Sequence, residues 1–474
     1  MVEKDQRLDP LSPEQPNIWE WIRKAFSEFL LIPTLIVLAF FMLGGLLYAI
    51  DLLQPGFLQP LSEFLKANLF SAKDETERFL ATVTGGMMTV TSITISMLLI
   101  ALQQSASNMG NMVFDQFLSR RRNQAFFGYL VGLGMYAVVL LGINGEKTIL
   151  VFSATAVLFM TGIALYILIV MVYTAIHQMR PELVLGTIHD NTLIARKNQR
   201  QFLSRTRRKS AFIGQARRIV QAHVNGFVIS IDLQPFDQVV TETLGGCEFE
   251  MLVTLGEYVS YNDDIAVVIG MEEADLDSLE KAVHRSIQIA RQREMTIDPY
   301  YGLEQIEEIA WTAISTAKAT PETGQLAIRV LRDILARWVA EREQPEPKPD
   351  QKAPLPVIYN DNVEIRAIDT LESLAIASGE SYQHQSIKEI LRAIMVIYPR
   401  MGEDMQGYSE SMLMRILPAL RQHVLSGELD ATISLLIDTL DKAGADQVAE
   451  AYRQVRQHLA DVQRPRQDAN VSYG

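Results

Sequence analysis

Hydrophobic positions along this chain follow two regimes. Between Phe29 and Met179 they merge into long runs, and from Arg180 onward they are interleaved with charges as in a water-exposed fold. Phe29 to Ile50 runs 22 residues without a charge, enough for a helix to cross a ~30 Å hydrocarbon core. Further uncharged runs extend over Phe79–Phe114, Asn123–Gly145 and Thr148–Met179, the last two parted by the turn Asn144-Gly145-Glu146-Lys147. One such run fits a buried helix of a soluble protein. Four in succession predict membrane spans at about 29–50, 79–103, 125–145 and 149–175, behind a polar leader of residues 1–28. The first span lies too deep in the chain and is too long for a cleaved signal segment.

The second run carries a pattern of its own. At 100° per residue, Thr82, Gly85, Gly86, Thr89, Ser92 and Ser96 fall within about 120° of one another. The same face continues through Gln103, Gln104, Ser107, Gly110 and Asn111. Two readings compete. Small residues permit close helix approach, with the Gly128/Gly132 pair on the third span as a partner. Alternatively, hydroxyls and amides line a water-filled path in an oligomer. The spans hold no Asp, Glu, Lys or Arg, which argues against a proton relay or a buried ion-coupling carboxylate.

Beyond the spans the period changes. Residues 180–217 predict a basic juxtamembrane helix, and 218–270 short strands such as Phe227–Ile231 and Ile265–Ile269, punctuated by Gly226, Pro235, Gly256 and Gly270. This reads as a small β-sandwich or barrel. A helical segment over 271–343, a proline-rich linker over 344–356 and a helical domain over 357–474 complete the chain. The expected fold is thus an α-helical polytopic membrane protein with a cytoplasmic α+β region. The Gly256–Ala266 turns resemble the closing turns of biotinyl/lipoyl domains, but no lysine lies between Lys209 and Lys281 to carry the group.

Charge placement sets the expected orientation. Arg23 and Lys24, then Arg120–Arg122, then Arg180, Arg196, Lys197 and Arg200 flank the spans on one side, which the positive-inside rule makes cytoplasmic. Both termini are then cytoplasmic and the membrane is the plasma membrane. Nine basic and no acidic residues between Arg196 and Arg218 suggest anionic-lipid contact by Arg196, Lys197, Arg200, Arg205, Arg207, Arg208 and Lys209. A solvated basic helix that only enforces topology explains the run equally well. The net charge of −13 and the scarcity of aromatics in the basic stretch argue against nucleic acid. A single cysteine, Cys247, fits a reducing compartment.

Catalytic patterns are missing from the sequence. It contains no GxxxxGK[ST], HExxH, CxxC or GxSxG; its seven histidines are scattered, and His177 and His189, twelve apart, read as ordinary surface residues. No enzyme activity, cofactor or metal is expected.

The block Ser92-Ile-Thr-Ile-Ser-Met-Leu-Leu-Ile-Ala-Leu-Gln-Gln-Ser-Ala-Ser-Asn-Met-Gly is followed by Phe117-Leu-Ser-Arg-Arg-Arg-Asn-Gln and Gly128-Tyr-Leu-Val-Gly. With Asp298-Pro299-Tyr-Tyr-Gly302 further on, the chain resembles a bacterial family of predicted membrane proteins known as domain of unknown function 2254, over roughly residues 30–460. The resemblance implies a fold and no activity. A Ser-Pro-Gly-Ile-Asn-Asp-Pro-like run typical of that family reads here Ser315-Thr-Ala-Lys-Ala-Thr-Pro321-Glu-Thr323. Ser315, Pro321 and Thr323 match, but the Asn-Asp pair falls on Ala319 and Thr320. A ligand held by that pair elsewhere in the family would lack its holders here. The sequence therefore carries two functional expectations: a homo-oligomeric channel or pore with a regulatory cytoplasmic domain, or a non-conducting membrane-anchored sensor or scaffold.

Overall fold

The computed structural model describes residues 26, 30–70, 72–109, 120–143, 150–178, 180–210, 216–242, 246–272, 276–315, 320–342 and 354–471. They form two compact units, one ending at Arg180 and the other built essentially from Pro181 onward.

In the first unit, α1 (Leu31–Leu53), α3 (Lys73–Met109), α4 (Arg121–Ile143) and α5 (Val151–Gln178) supply four helices long and apolar enough to cross a membrane. A short helix, α2 (Gln59–Asn68), follows α1 after the Gln54-Pro55 break. Gln54 takes the left-handed conformation and the proline cannot extend the helix. α1 packs on α4 and α5, and α4 packs on α5. Two glycines of α4 make the first contact possible. A Cβ on Gly128 would lie 2.7 Å from the backbone of Pro33, and one on Gly132 would lie 2.7 Å from the ring of Phe40. The Gly128/Gly132 pair therefore serves span 1 and not span 2, correcting the expected pairing. A repeat of small residues reveals that a face is flat and leaves open which helix meets it.

The end of α1 also organises the start of α5. Asp51, 3% exposed, accepts from Phe152 N at 2.9 Å, Ser153 N at 3.0 Å and Ser153 Oγ at 2.7 Å. A helix N-terminus leaves unpaired N–H donors and a partial positive charge. Here a carboxylate from another helix satisfies them, so the uncharged spans are closed by an acid just at the edge of the first.

The second unit begins with α6 (Pro181–Leu203). It stops short of the basic helix expected over 180–217, because the chain leaves helix at Ser204 and Arg207 bridges to Ile358 of the sheet. Strands β1 (Ala216–Gln221), β2 (Gly226–Ile231), β3 (Cys247–Met251), β4 (Tyr258–Val259), β5 (Asp264–Gly270), β6 (Ile287–Ala290) and β7 (Val357–Ile358) form two sheets. Their orders are β1-β5-β3-β7 and β4-β2-β6. Helices α7 (Gln234–Glu242) and α8 (Leu276–Ser286) pack on each other, and Phe236, Phe249, Val268, Leu279 and Val357 share one core. Two pieces lie outside the expected 218–270 range. β6 follows α8 without a loop, and β7 directly follows the proline-rich segment. Leu355 N donates to Arg205 O at 2.8 Å and Phe249 N to Pro356 O at 2.8 Å, so the last residues of that linker are part of the sheet region.

Helices α9 (Pro299–Ser315), α10 (Pro321–Arg342), α11 (Val363–Glu380), α12 (His384–Ile397), α13 (Glu403–Arg415), α14 (Leu417–Leu420), α15 (Gly427–Ala443) and α16 (Asp446–Val471) form the helical layer. α9 packs on α6, α10 and α11; α12 packs on α10 and α15; α15 packs on α16. Trp338, at 0% exposure, is the largest side chain in their core.

Candidate functional site

On α3 a narrow stripe is buried, made of Thr76, Leu80, Val83, Met87, Thr94 and Leu98. At 100° per residue the small-polar stripe is centred roughly opposite it, about 160° around the helix. Thr82, Gly85, Gly86, Thr89, Ser92, Ser96 and Gln103 are all exposed, and a Cβ on Gly85 or Gly86 would meet nothing within 4 Å. Gln104 and Ser107 lie within the same helix, and Asn111 lies outside the described residues. Among the described residues of the first unit the polar face packs on nothing, and the apolar Met88, Ile93, Met97 and Ile100 of the same helix are exposed as well, so that only the narrow stripe points inward.

The hydroxyls of this face are turned back on their own helix. Thr82 Oγ1 donates to Arg78 O at 2.7 Å, Thr89 Oγ1 to Gly85 O at 2.8 Å and Ser96 Oγ to Ser92 O at 3.0 Å. Each donor is thereby satisfied without water, which makes the face tolerable in a bilayer. Each oxygen keeps acceptor capacity directed outward. Such a face can meet an identical helix closely or present acceptors to water.

The basic residues separate into two groups. Arg196 is 4% exposed, with Nη1 2.7 Å from Asp361 Oδ2, Nη2 3.4 Å from Glu364 Oε1 and its guanidinium 5.4 Å from the Trp338 ring. It is an internal ion-pair residue, so its expected contact with lipid headgroups is corrected. Burial forces such a charge to find partners, and both carboxylates come from a part of the chain more than 160 residues away. Arg200 pairs with Glu341 at 2.6 Å and Arg205 with Asp237 at 3.3 Å, while the Arg207 backbone N donates to Val357 O at 2.7 Å. Lys197, Arg208 and Lys209 remain exposed. The buried aromatics beside Arg196 are shaped by the same environment. Tyr300 Oη accepts from Asn362 N at 3.1 Å and Tyr359 Oη from Leu255 N at 3.0 Å, and burial pushes both phenols well above their ordinary range.

The motif residues have local structural reasons. Asp298, 2% exposed, accepts from Arg293 Nε at 2.6 Å and from Tyr301 N at 3.1 Å, so it caps α9 and holds an arginine at once. Arg293 also pairs with Glu304. Pro299 opens α9, where a missing N–H costs nothing. Gly302 faces Thr192 of α6 so closely that a Cβ would overlap its hydroxyl. Ser315 ends α9 with a buried hydroxyl that has no partner among the described residues. Pro321 opens α10, and Thr323 N donates to Thr320 O at 2.9 Å. Ala319 lies outside the described residues. Asp298, Pro299 and Gly302 thus come together at one helix start, where each has a local structural role.

His189, expected at the surface, is half-buried, and His423 is internal. His423 is 4% exposed, its Nδ1 3.0 Å from Nδ1 of His384, and burial together with that neighbour lowers its pKa to about 4. His189 lies between Asp190 and Asp333, at 2.9 and 2.8 Å. Among the described residues no group of three His, Cys, Asp or Glu side chains is placed to hold a metal ion.

Residues 27–373 match the family described as Predicted membrane protein (DUF2254). Among curated proteins and among solved structures, nothing matches the chain.

Proposed function

The chain belongs to the DUF2254 family of predicted membrane proteins, and from that premise we propose that it is a bacterial plasma-membrane channel or pore. It works as a homo-oligomer, with the polar face of α3 turned toward a central path and the second unit regulating it from the cytoplasm. One observation carries this reading: the small and polar residues of α3 gather on a single side of the helix, roughly opposite its buried stripe, and that side is exposed. Lipid gives such a face no advantage over an apolar one, whereas water or a second copy of the helix does.

The basic-residue bias supports cytoplasmic termini and a cytoplasmic sandwich-like sheet region. Lys197, Arg208 and Lys209 are the residues available to anionic lipid headgroups. The protein acts here without catalysing a reaction, without a cofactor and without nucleic acid.

A second reading has its own support. The bare backbone at Gly85 and Gly86 suits close helix packing, which makes the stripe the seam of a non-conducting oligomeric sensor or scaffold. Planar-bilayer recording on purified protein of measured oligomeric state separates the two. Conductance from an oligomer supports the channel. An oligomer silent under voltage, tension and ligands supports the scaffold, and a strict monomer removes both.

A further inference from the structure

At the end of the membrane unit where α1 stops and α5 starts, a cavity of about 170 Å³ opens beside α2. Asp51, Gln54, Ser62, Glu63, Lys66 and Phe152 are among the residues that line it. The charge of Asp51 is already engaged by three donors at the start of α5. Glu63 and Lys66 are not so engaged: neither has an ion-pair partner among the described residues, although they lie three apart on α2. The cavity therefore holds one uncommitted negative and one uncommitted positive charge, flanked by amide side chains.

Its surroundings are apolar and unpartnered. Phe57 is 82% exposed, Leu53 75%, Phe64 61% and Leu61 48%. They continue the lipid-facing surface of α1 onto α2, whose opposite side buries Leu65 and packs on α5. A short helix of this kind, with an apolar side adjoining a membrane span, lies in the bilayer interface.

We propose that this cavity is a phospholipid-headgroup site that selects a zwitterionic lipid bearing a primary ammonium. Lys66 meets the phosphate and Glu63 the ammonium, while the acyl chains run over the exposed Phe57, Leu61 and Phe64 side of the unit. Charge complementarity excludes two other classes. A glycerol headgroup offers Glu63 neutral hydroxyls in place of a cation, and a trimethylammonium group has no N–H to donate to Glu63 or to the Gln54 carbonyl. The inference concerns the membrane unit alone and does not depend on whether α3 lines a pore.

The test is lipid retention by the delipidated, purified full-length protein, read by native mass spectrometry. Phosphatidylethanolamine, phosphatidylcholine and phosphatidylglycerol of identical acyl chains are offered at equal concentration. Retention of the ethanolamine lipid several-fold above the other two is expected. Lys66→Gln and Glu63→Gln should each abolish that preference, and Glu63→Lys should shift it toward the glycerol lipid with unchanged elution volume. Soluble glycerophosphoethanolamine in excess should displace none of the bound lipid. Equal retention of the three lipids, a preference untouched by both neutral variants, or displacement by the soluble headgroup overturns the proposal.

Discussion

Gly132 of α4 stands so close to Phe40 of α1 that any side chain there would have to push the ring aside. The neighbouring contact at Gly128 is against backbone, at Pro33, and cannot yield in that way. Gly128→Leu should therefore destabilise the membrane unit more than Gly132→Ala, with overpacking costs of about 1–3 kcal/mol or above. Gly85→Leu, on the open face of α3, should leave the monomer fold intact. Thermal unfolding in detergent ranks the three, and a Gly85→Leu loss equal to that of Gly128→Leu would contradict the packing described here.

Removing the Arg196 guanidinium leaves Asp361 and Glu364 as buried carboxylates without their counter-charge. Arg196→Met should cost about 3–5 kcal/mol, the range for breaking a buried pair from one side. Combining it with Asp361→Asn and Glu364→Gln should recover much of that loss, because no uncompensated charge then remains. Chemical denaturation of the three proteins checks the order. A triple variant no more stable than the single one would show that packing on Trp338, and not charge, holds this site.

Asp51 should behave as a helix cap contributed from another helix. Asp51→Ala strips three donors at the start of α5, and hydrogen bonds to a charged acceptor contribute about 1.5–3 kcal/mol each at most. Asp51→Asn keeps an acceptor and should lose less. Folded yield and melting temperature in detergent report the difference, and equal losses would show that the carboxylate's charge plays no part.

Acidification should weaken the second unit through His423. Its pKa is about 4 in the folded protein against about 6.5 when exposed. The unfolded chain therefore binds the proton more readily. This contribution is intact above pH 6.5 and shrinks as pH falls from 6.5 toward 4, by about 3 kcal/mol at the lower end. His423→Gln should flatten that part of the stability profile. A wild-type melting temperature that does not fall between pH 7 and 4.5 more than the variant's would refute the assignment.

The sequence makes some of these relationships visible and hides others for definite reasons. The four spans are legible because a bilayer forbids unpaired backbone and charge over about 20 residues. The exposed polar face of α3 is legible because helical period alone places Thr82, Thr89 and Ser96 together. The partner of the Gly128/Gly132 pair is not legible, since period gives a face and not its neighbour. Arg196 sits in a run of basic residues that reads as surface. Its burial depends on Asp361 and Glu364, which carry no local mark of pairing. The sheet region escapes its expected limits for a similar reason: β7 pairs with β3 across about 100 residues, and its strand character is masked by the prolines before it.

The proposed pore requires that the polar face of α3 border water inside an oligomer. Single cysteines at Thr89, Ser92 and, as control, Met87 on the buried stripe can be exposed to a small water-soluble thiol reagent. Current through the reconstituted protein, after replacement of Cys247 by serine, is then recorded. The reagent is expected to block current through the Thr89→Cys and Ser92→Cys proteins and to leave the Met87→Cys protein unaffected. Persistent current after treatment at both 89 and 92, or no current from any oligomer, contradicts it.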